Sequence, residues 1–212
     1  MEVENHKVKK SFIGEEESKR LIEWIEGIDY RKADANHHLA ELSKELNGAS
    51  HIFDVSKTEL TRYVTDYQKI TNSSEENIPT VIYDLIERIA REIDIPTDHV
   101  FFQAVDMQKG GKINPHYDAA VEGYVNYKCN LCLLSESYDF FVDGTTFHIE
   151  QGDLYCFEAS LYKHWTNVFD SRRVFISFGF MVPYDRLGRT VDDPRVRLSR
   201  RIEKYFQRVQ DK

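Results

Sequence analysis

With 212 residues, 41% of them apolar and 30% charged, the chain is long enough to bury one substantial core and short for two. Its net charge of −8 argues against generic binding to nucleic acid or anionic membranes. No apolar run reaches membrane-spanning length and the acidic start Met1-Glu2-Val3-Glu4 is unlike a signal peptide, so a cytoplasmic protein with no membrane partner is expected.

The first hundred residues read mainly as helix. Glu15 to Ile28 sets Leu21, Ile22, Ile25 and Ile28 at helical spacing behind an acidic first turn. Ala35 to Leu46 repeats the pattern and stops at Asn47-Gly48, and Ser56 to Ile70 is expected as a third helix. Pro79 to Ile93 has the clearest apolar stripe of all and is closed by Pro96.

From Val100 the period changes to two. Val100 to Met107, Ile113 to Asp118, Tyr124 to Leu134, Ser137 to Val142, Thr145 to Ile149, Leu154 to Phe157, Lys163 to Phe169 and Arg173 to Val182 read as strands. Asp143-Gly144 marks a tight hairpin. Eight short antiparallel strands with tight turns predict an α+β protein built on a double-stranded β-helix (a cupin-like jelly roll), with N-terminal helices packed on one face. A C-terminal helix, Arg195 to Val209, carries Leu198, Ile202, Tyr205, Phe206 and Val209 on one stripe. The expected organisation is a single domain over 1–212: a mainly helical part (1–98), a jelly-roll core (99–183) and a C-terminal extension (184–212).

Chemistry concentrates in the strand-rich half. His116-Tyr117-Asp118 is an H-x-D pair, and on a strand residues i and i+2 point the same way, so both can reach one ion. His164 follows on a later strand. Two imidazoles and one carboxylate on one side of a metal leave the other side open, as non-haem Fe(II) oxygenases require. Nine residues on, Arg173 opens the apolar run Val174 to Phe180, where its planar fork could grip a carboxylate.

In order and spacing this set resembles the Fe(II)/2-oxoglutarate-dependent dioxygenases, of the prolyl-hydroxylase-like or small-molecule hydroxylase type. The resemblance covers about residues 100–183 and extends to Ser11 through Glu17, which look like the strand and helix start that open such proteins. It implies that His116, Asp118 and His164 bind Fe(II), that Arg173 anchors the far carboxylate of 2-oxoglutarate, and that O2 is the second co-substrate. Arg172 could serve instead; Arg173 is favoured because it shares strand parity with Ser177, whose hydroxyl could assist. Tyr127, Lys128 and Asn130, with Tyr124 and Gln103, stand where the family often places contacts to 2-oxoglutarate or substrate. The implied reaction is hydroxylation of an aliphatic C–H, with release of succinate and CO2. A carboxylate at Asp118 leaves no room for halide, unlike the halogenating relatives.

Rival readings are weaker. His148 and Glu150 form a second H-x-E pair, but too close to His164 for several strands to intervene, and they read as exposed hairpin positions. Cys129 and Cys132 form a lone C-x-x-C whose thiols face opposite ways on a strand; with Cys156 they read as buried, reduced thiols. The nucleic-acid demethylases of the family carry a second arginine six residues after the anchor, where this chain has Gly179. That substitution and the acidic chain argue against nucleic acid, although nine basic and four acidic residues from Arg186 to Lys212 make the tail locally positive. The expected partner is a small-molecule or peptide substrate, with oligomerisation possible through the C-terminal helix. A metal-binding jelly roll without catalysis is the alternative from another class.

Overall fold

The computed structural model describes residues 6–27, 31–32, 61–66, 79–107, 109–110, 112–113, 115–118 and 120–210. Ten strands are described: β1 (His6–Lys9), β2 (Arg31–Lys32), β3 (Thr61–Asp66), β4 (Val100–Met107), β5 (Tyr124–Leu134), β6 (Tyr138–Val142), β7 (Thr145–Ile149), β8 (Leu154–Glu158), β9 (His164–Thr166) and β10 (Arg173–Pro183). Seven form one sheet in the order β1-β8-β5-β10-β4-β3-β2, and three form a smaller sheet, β7-β6-β9. The pairings between strands are antiparallel. These two mostly antiparallel sheets with few helices make a jelly-roll architecture.

Strand parity divides the large sheet into two faces. Opposed residues of an antiparallel pair point the same way, and β5 lies between β8 and β10. Lys128 opposes Phe157 and Gly179, and Asn130 opposes Tyr155 and Ser177, so these six share the face turned toward the small sheet. The alternate residues Tyr127, Cys129 and Leu131 oppose Glu158, Cys156 and Leu154 on the other face. That face meets the helices α1 (Glu15–Glu26) and α2 (Thr80–Ile93). Trp24 of α1 lies 6.3 Å from the ring of Phe102, Lys7 pairs with Glu92, and Arg88 ties α2 to Glu17 of α1 at 2.6 Å.

The helices form because their apolar residues fall on single stripes. In α2, Ile82, Leu85, Ile86, Ile89 and Ile93 are buried, and each such side chain contributes about 1.5–3 kcal/mol on leaving water. Asp94 ends α2 in a left-handed conformation, φ 53°, two residues before Pro96. The expected helix at 35–46 lies outside the described residues.

Two expectations are corrected. The third helix, placed at Ser56 to Ile70, gives way over Thr61–Asp66 to strand β3, which pairs residue for residue with β4 from Met107 to Phe102. A complete hydrogen-bond ladder on the edge of β4 outweighs local helix spacing, which is a weak preference by comparison. Nor does Ile113 to Asp118 form a continuous strand: its pairing is an isolated antiparallel bridge, His116 to His164.

Gly152 holds the turn before β8. It sits at φ +84°, and a Cβ there would stand 2.7 Å from the carbonyl oxygen of Ile13. Only glycine satisfies both constraints without displacing the segment that leads into α1. At the other end, Asp193 Oδ1 accepts from the backbone N–H of Arg195 to start α3 (Pro194–Gln210), whose Val196 and Ser199 are buried. No helix among the described residues is long and apolar enough to cross a membrane.

Candidate metal centre

His164 opens β9, and its backbone exchanges two hydrogen bonds with His116, at 3.1 and 3.0 Å. This bridge is local, yet it fixes the two imidazoles side by side, with ring centroids 4.2 Å apart. Further support comes from Thr166, whose N–H donates to the Ile113 carbonyl and whose hydroxyl accepts from the Ile113 N–H. Asp118 is tethered through its backbone N–H to the carbonyl of Ala159, just past β8. An irregular segment thus does the work expected of a strand, because three separate backbone ties hold it.

The side chains converge. Asp118 Oδ1 lies 3.2 Å from His116 Nε2 and 3.6 Å from His164 Nε2, and one ligand atom from each residue falls within 4.8 Å of the others. Both histidines are buried, and Phe157 and Phe140 close over the His164 ring at 4.7 and 6.0 Å. His164 Nδ1 lies 3.1 Å from the carbonyl of Tyr162. A carbonyl can only accept, so Nδ1 carries the proton and Nε2 keeps its lone pair toward Asp118.

Electrostatics favour a neutral imidazole beside an ionised carboxylate. Burial, then the neighbouring His116, pushes the His164 pKa down to about 4, against the opposing pull of Asp118. For Asp118 burial acts upward, but the charge of Lys128, together with the two histidines beside it, outweighs burial and holds the carboxyl well below its usual range. Lys128 forms an ion pair with Asp118 Oδ2.

This donor set fits a divalent transition metal. Bonds of about 2.0–2.2 Å held near right angles put ligand atoms about 3 Å apart, close to the carboxylate–imidazole separations found here. Among the described residues this is the one cluster of three metal-ligating side chains that converge in this way.

Along the same face lies a second polar element. Arg173, the first residue of β10, is fully buried, and its Nη2 donates to the hydroxyl of Tyr155 at 2.6 Å. Its Nε and Nη1 have no hydrogen-bond partner among the described residues. Tyr138, Phe175 and Phe169 surround the guanidinium, with Cζ 4.1, 4.1 and 4.8 Å from their ring centres. Such contacts return about 0.5–2 kcal/mol each, less than the several kcal/mol needed to bury an unpaired charge. The cage holds a buried positive charge with no counter-ion among the described residues. Ser177 Oγ and Asn130 Oδ1 are also buried without a hydrogen-bond partner among the described residues. Tyr155 and Phe157 are two residues apart on β8, so the Tyr155–Arg173 contact lies about 6.8 Å along the strand from the ring packed on His164.

The structure thus brings His116, Asp118 and His164 together, and sets Arg173, Ser177, Asn130 and Lys128 on the wall beside them. Tyr127 is a correction. Its parity places it with Cys129 and Leu131 on the helix-facing side, away from this wall. Arg172 points the other way from Arg173, binding the buried Asp106 at 3.0 Å and Glu26 of α1 at 2.8 Å. His148 and Glu150 are exposed and pair with Asp139 and Lys10. The aromatic cage, above all Tyr155, was missed from sequence. Its signal was available in the alternation of β8, where Tyr155 and Phe157 share one parity.

No protein-family model matches the sequence, and no curated protein does. Solved structures do share the fold. A prolyl-4-hydroxylase from Pseudomonas putida is 14% identical, with 84% of this chain and 92% of that chain covered and a TM-score of 0.53. HygX from Streptomyces hygroscopicus, solved with nickel, 2-oxoglutarate and hygromycin B bound, is 12% identical over 85% of this chain and 84% of its own, with a TM-score of 0.55. A viral collagen prolyl hydroxylase from Paramecium Bursaria Chlorella virus-1, in complex with 2-oxoglutarate, is 11% identical over 84% of this chain and 96% of its own, at 0.51. The chain has the fold of the 2-oxoglutarate/Fe(II) oxygenases.

Proposed function

We propose that this chain is an Fe(II)- and 2-oxoglutarate-dependent dioxygenase that hydroxylates an aliphatic C–H of a small molecule, an amino acid or a peptide residue. The observation that carries this reading is a buried arginine, with no carboxylate partner among the described residues, on the same face as a converged His-Asp-His set. A structural metal site has no use for such an arginine; an oxygenase needs it to hold its co-substrate. The whole chain, 1–212, acts as one domain in this reading.

His116, Asp118 and His164 would hold the iron. When bound, Fe(II) with 2-oxoglutarate supplies the means to split O2, one oxygen entering the substrate as hydroxyl and the other entering succinate as CO2 is released. Arg173 receives the far carboxylate through guanidinium N–H groups that no acceptor among the described residues takes, with Tyr155 holding Nη2 to orient the group. Ser177 and Asn130 offer hydrogen bonds along the way. Phe140 and Phe157 keep water from His164, and the Tyr162 carbonyl holds its tautomer. Fold relatives include a prolyl hydroxylase solved in complex with a peptide fragment and HygX solved with hygromycin B bound, which supports the substrate range without narrowing it.

The test is succinate formation from 2-oxoglutarate with Fe(II), screened over amino acids, peptides and small molecules. His116→Ala, Asp118→Ala and His164→Ala should each abolish turnover and weaken metal binding more than about a hundredfold while preserving the circular dichroism of the fold. Full activity in His164→Ala would overturn the assignment.

A further inference from the structure

The two oxygens of Asp118 face different partners. Oδ1 is turned to both histidine Nε2 atoms, at 3.2 and 3.6 Å, whereas Oδ2 is taken by the ammonium of Lys128. This division is built into the fold. Lys128 lies in the middle of β5, opposite Phe157 on one side and Gly179 on the other, with only 17% of its side chain exposed. Gly179 offers no side chain to compete for the lysine, and the ring of Phe101 covers the space its Cβ would fill. The Asp118 backbone is tied independently to Ala159, which fixes the main chain from which the carboxylate projects.

A carboxylate can bind a metal through one oxygen or chelate it through two. We propose that Lys128 is a positioning residue that commits Asp118 to the metal through Oδ1 alone, preserving a coordination position that a chelating carboxylate would occupy. The inference rests on the metal-centre reading above and deepens it. An open position is what an enzyme of this chemistry must retain, because co-substrate and O2 both need room on the ion. Keeping an ammonium beside a cation site weakens metal binding, so its presence there points to a benefit in geometry rather than affinity.

The test uses Mn(II) alone with the full chain. Water-proton relaxation counts the exchangeable waters on the bound ion, and the same titration gives its affinity. Lys128→Met and Lys128→Gln should each bind Mn(II) roughly tenfold tighter, because a nearby positive charge is gone. Each should also show one fewer exchangeable water, because the freed Oδ2 joins the ion. Lys128→Arg should keep the water count of the unaltered protein. Either neutral variant, folded by circular dichroism, decides the matter. An unchanged water count in a neutral variant overturns the proposal while leaving the metal centre intact. Failure of the unaltered chain to bind Mn(II) removes the metal centre and this proposal with it.

Discussion

The hydroxyl of Tyr155 lies 2.6 Å from Nη2 of Arg173, and among the described residues the rest of that buried guanidinium is met by aromatic rings rather than by a carboxylate. The pairing leaves Nε and Nη1 without a hydrogen-bond partner among the described residues, so the arginine is both fixed and unsatisfied. Arg173→Ala should weaken 2-oxoglutarate binding by about 2–5 kcal/mol, and Arg173→Lys should restore it only in part. Tyr155→Phe should cost about 1 kcal/mol through lost orientation. Isothermal titration of the metal-loaded protein measures all three. Arg172→Ala should leave the affinity alone and lower fold stability by about 1–3 kcal/mol, since the buried Asp106 would lose a charged partner. A large affinity loss in Arg172→Ala with none in Arg173→Ala would reverse the assignment.

His164 makes stability depend on pH in one direction. Its folded pKa of about 4 lies below the ordinary 6.5, so on acidification the unfolded chain takes up the proton first. The stabilisation is present above 6.5 and is lost as pH falls toward the folded value. Asp118, held low by Lys128 and the histidines against its burial, acts with the same sign at still lower pH. Between pH 7 and pH 5 the metal-free protein should lose roughly 2 kcal/mol from His164. Urea unfolding at both pH values should show that loss, reduced in His164→Gln, and the His164 ring proton should titrate by NMR well below 6.5.

Gly179 is held by contact. A Cβ there would lie 2.1 Å from Cζ of Phe101, directly across β4 and β10, so any side chain must displace that ring. Gly179→Ala should cost about 1–3 kcal/mol, and Phe101→Ala in the same chain should recover most of it. A double-mutant cycle in urea measures the coupling. Additive effects would mean that the ring moves aside freely.

The positive tail offers the sharpest test of the substrate range. Val196 and Ser199 are buried, so cutting the chain at Asp193 would strip packing as well as charge. Reversing the exposed Arg197 and Arg201 to glutamate separates the two. Binding of single-stranded DNA or RNA should be weak at physiological salt before and after the change. Tight, salt-sensitive binding that disappears in the double reversal would put nucleic acid ahead of small molecules and peptides.

Much of the molecule was legible in residue order alone. The period-two runs located β4 through β8 and β10 to within a residue or so at each end, and the apolar stripe of α2 located that helix, because burying one face forces a repeat onto the sequence. Residue types and order picked out His116, Asp118 and His164, since few side chains can hold a transition metal. Parity with Ser177 separated Arg173 from Arg172. Tertiary structure decided what no local pattern records. Thr61–Asp66 is a strand because β4 had an edge to fill, and His116 stands beside His164 through a bridge rather than a strand. Tyr127 turned from the site while Lys128 turned into it, a choice that one step of strand register makes and the residues themselves do not. The cage of Tyr138, Tyr155, Phe169 and Phe175 around Arg173 joins four separate stretches of chain. Only closing the sheets over one another brings them within reach of a single buried charge.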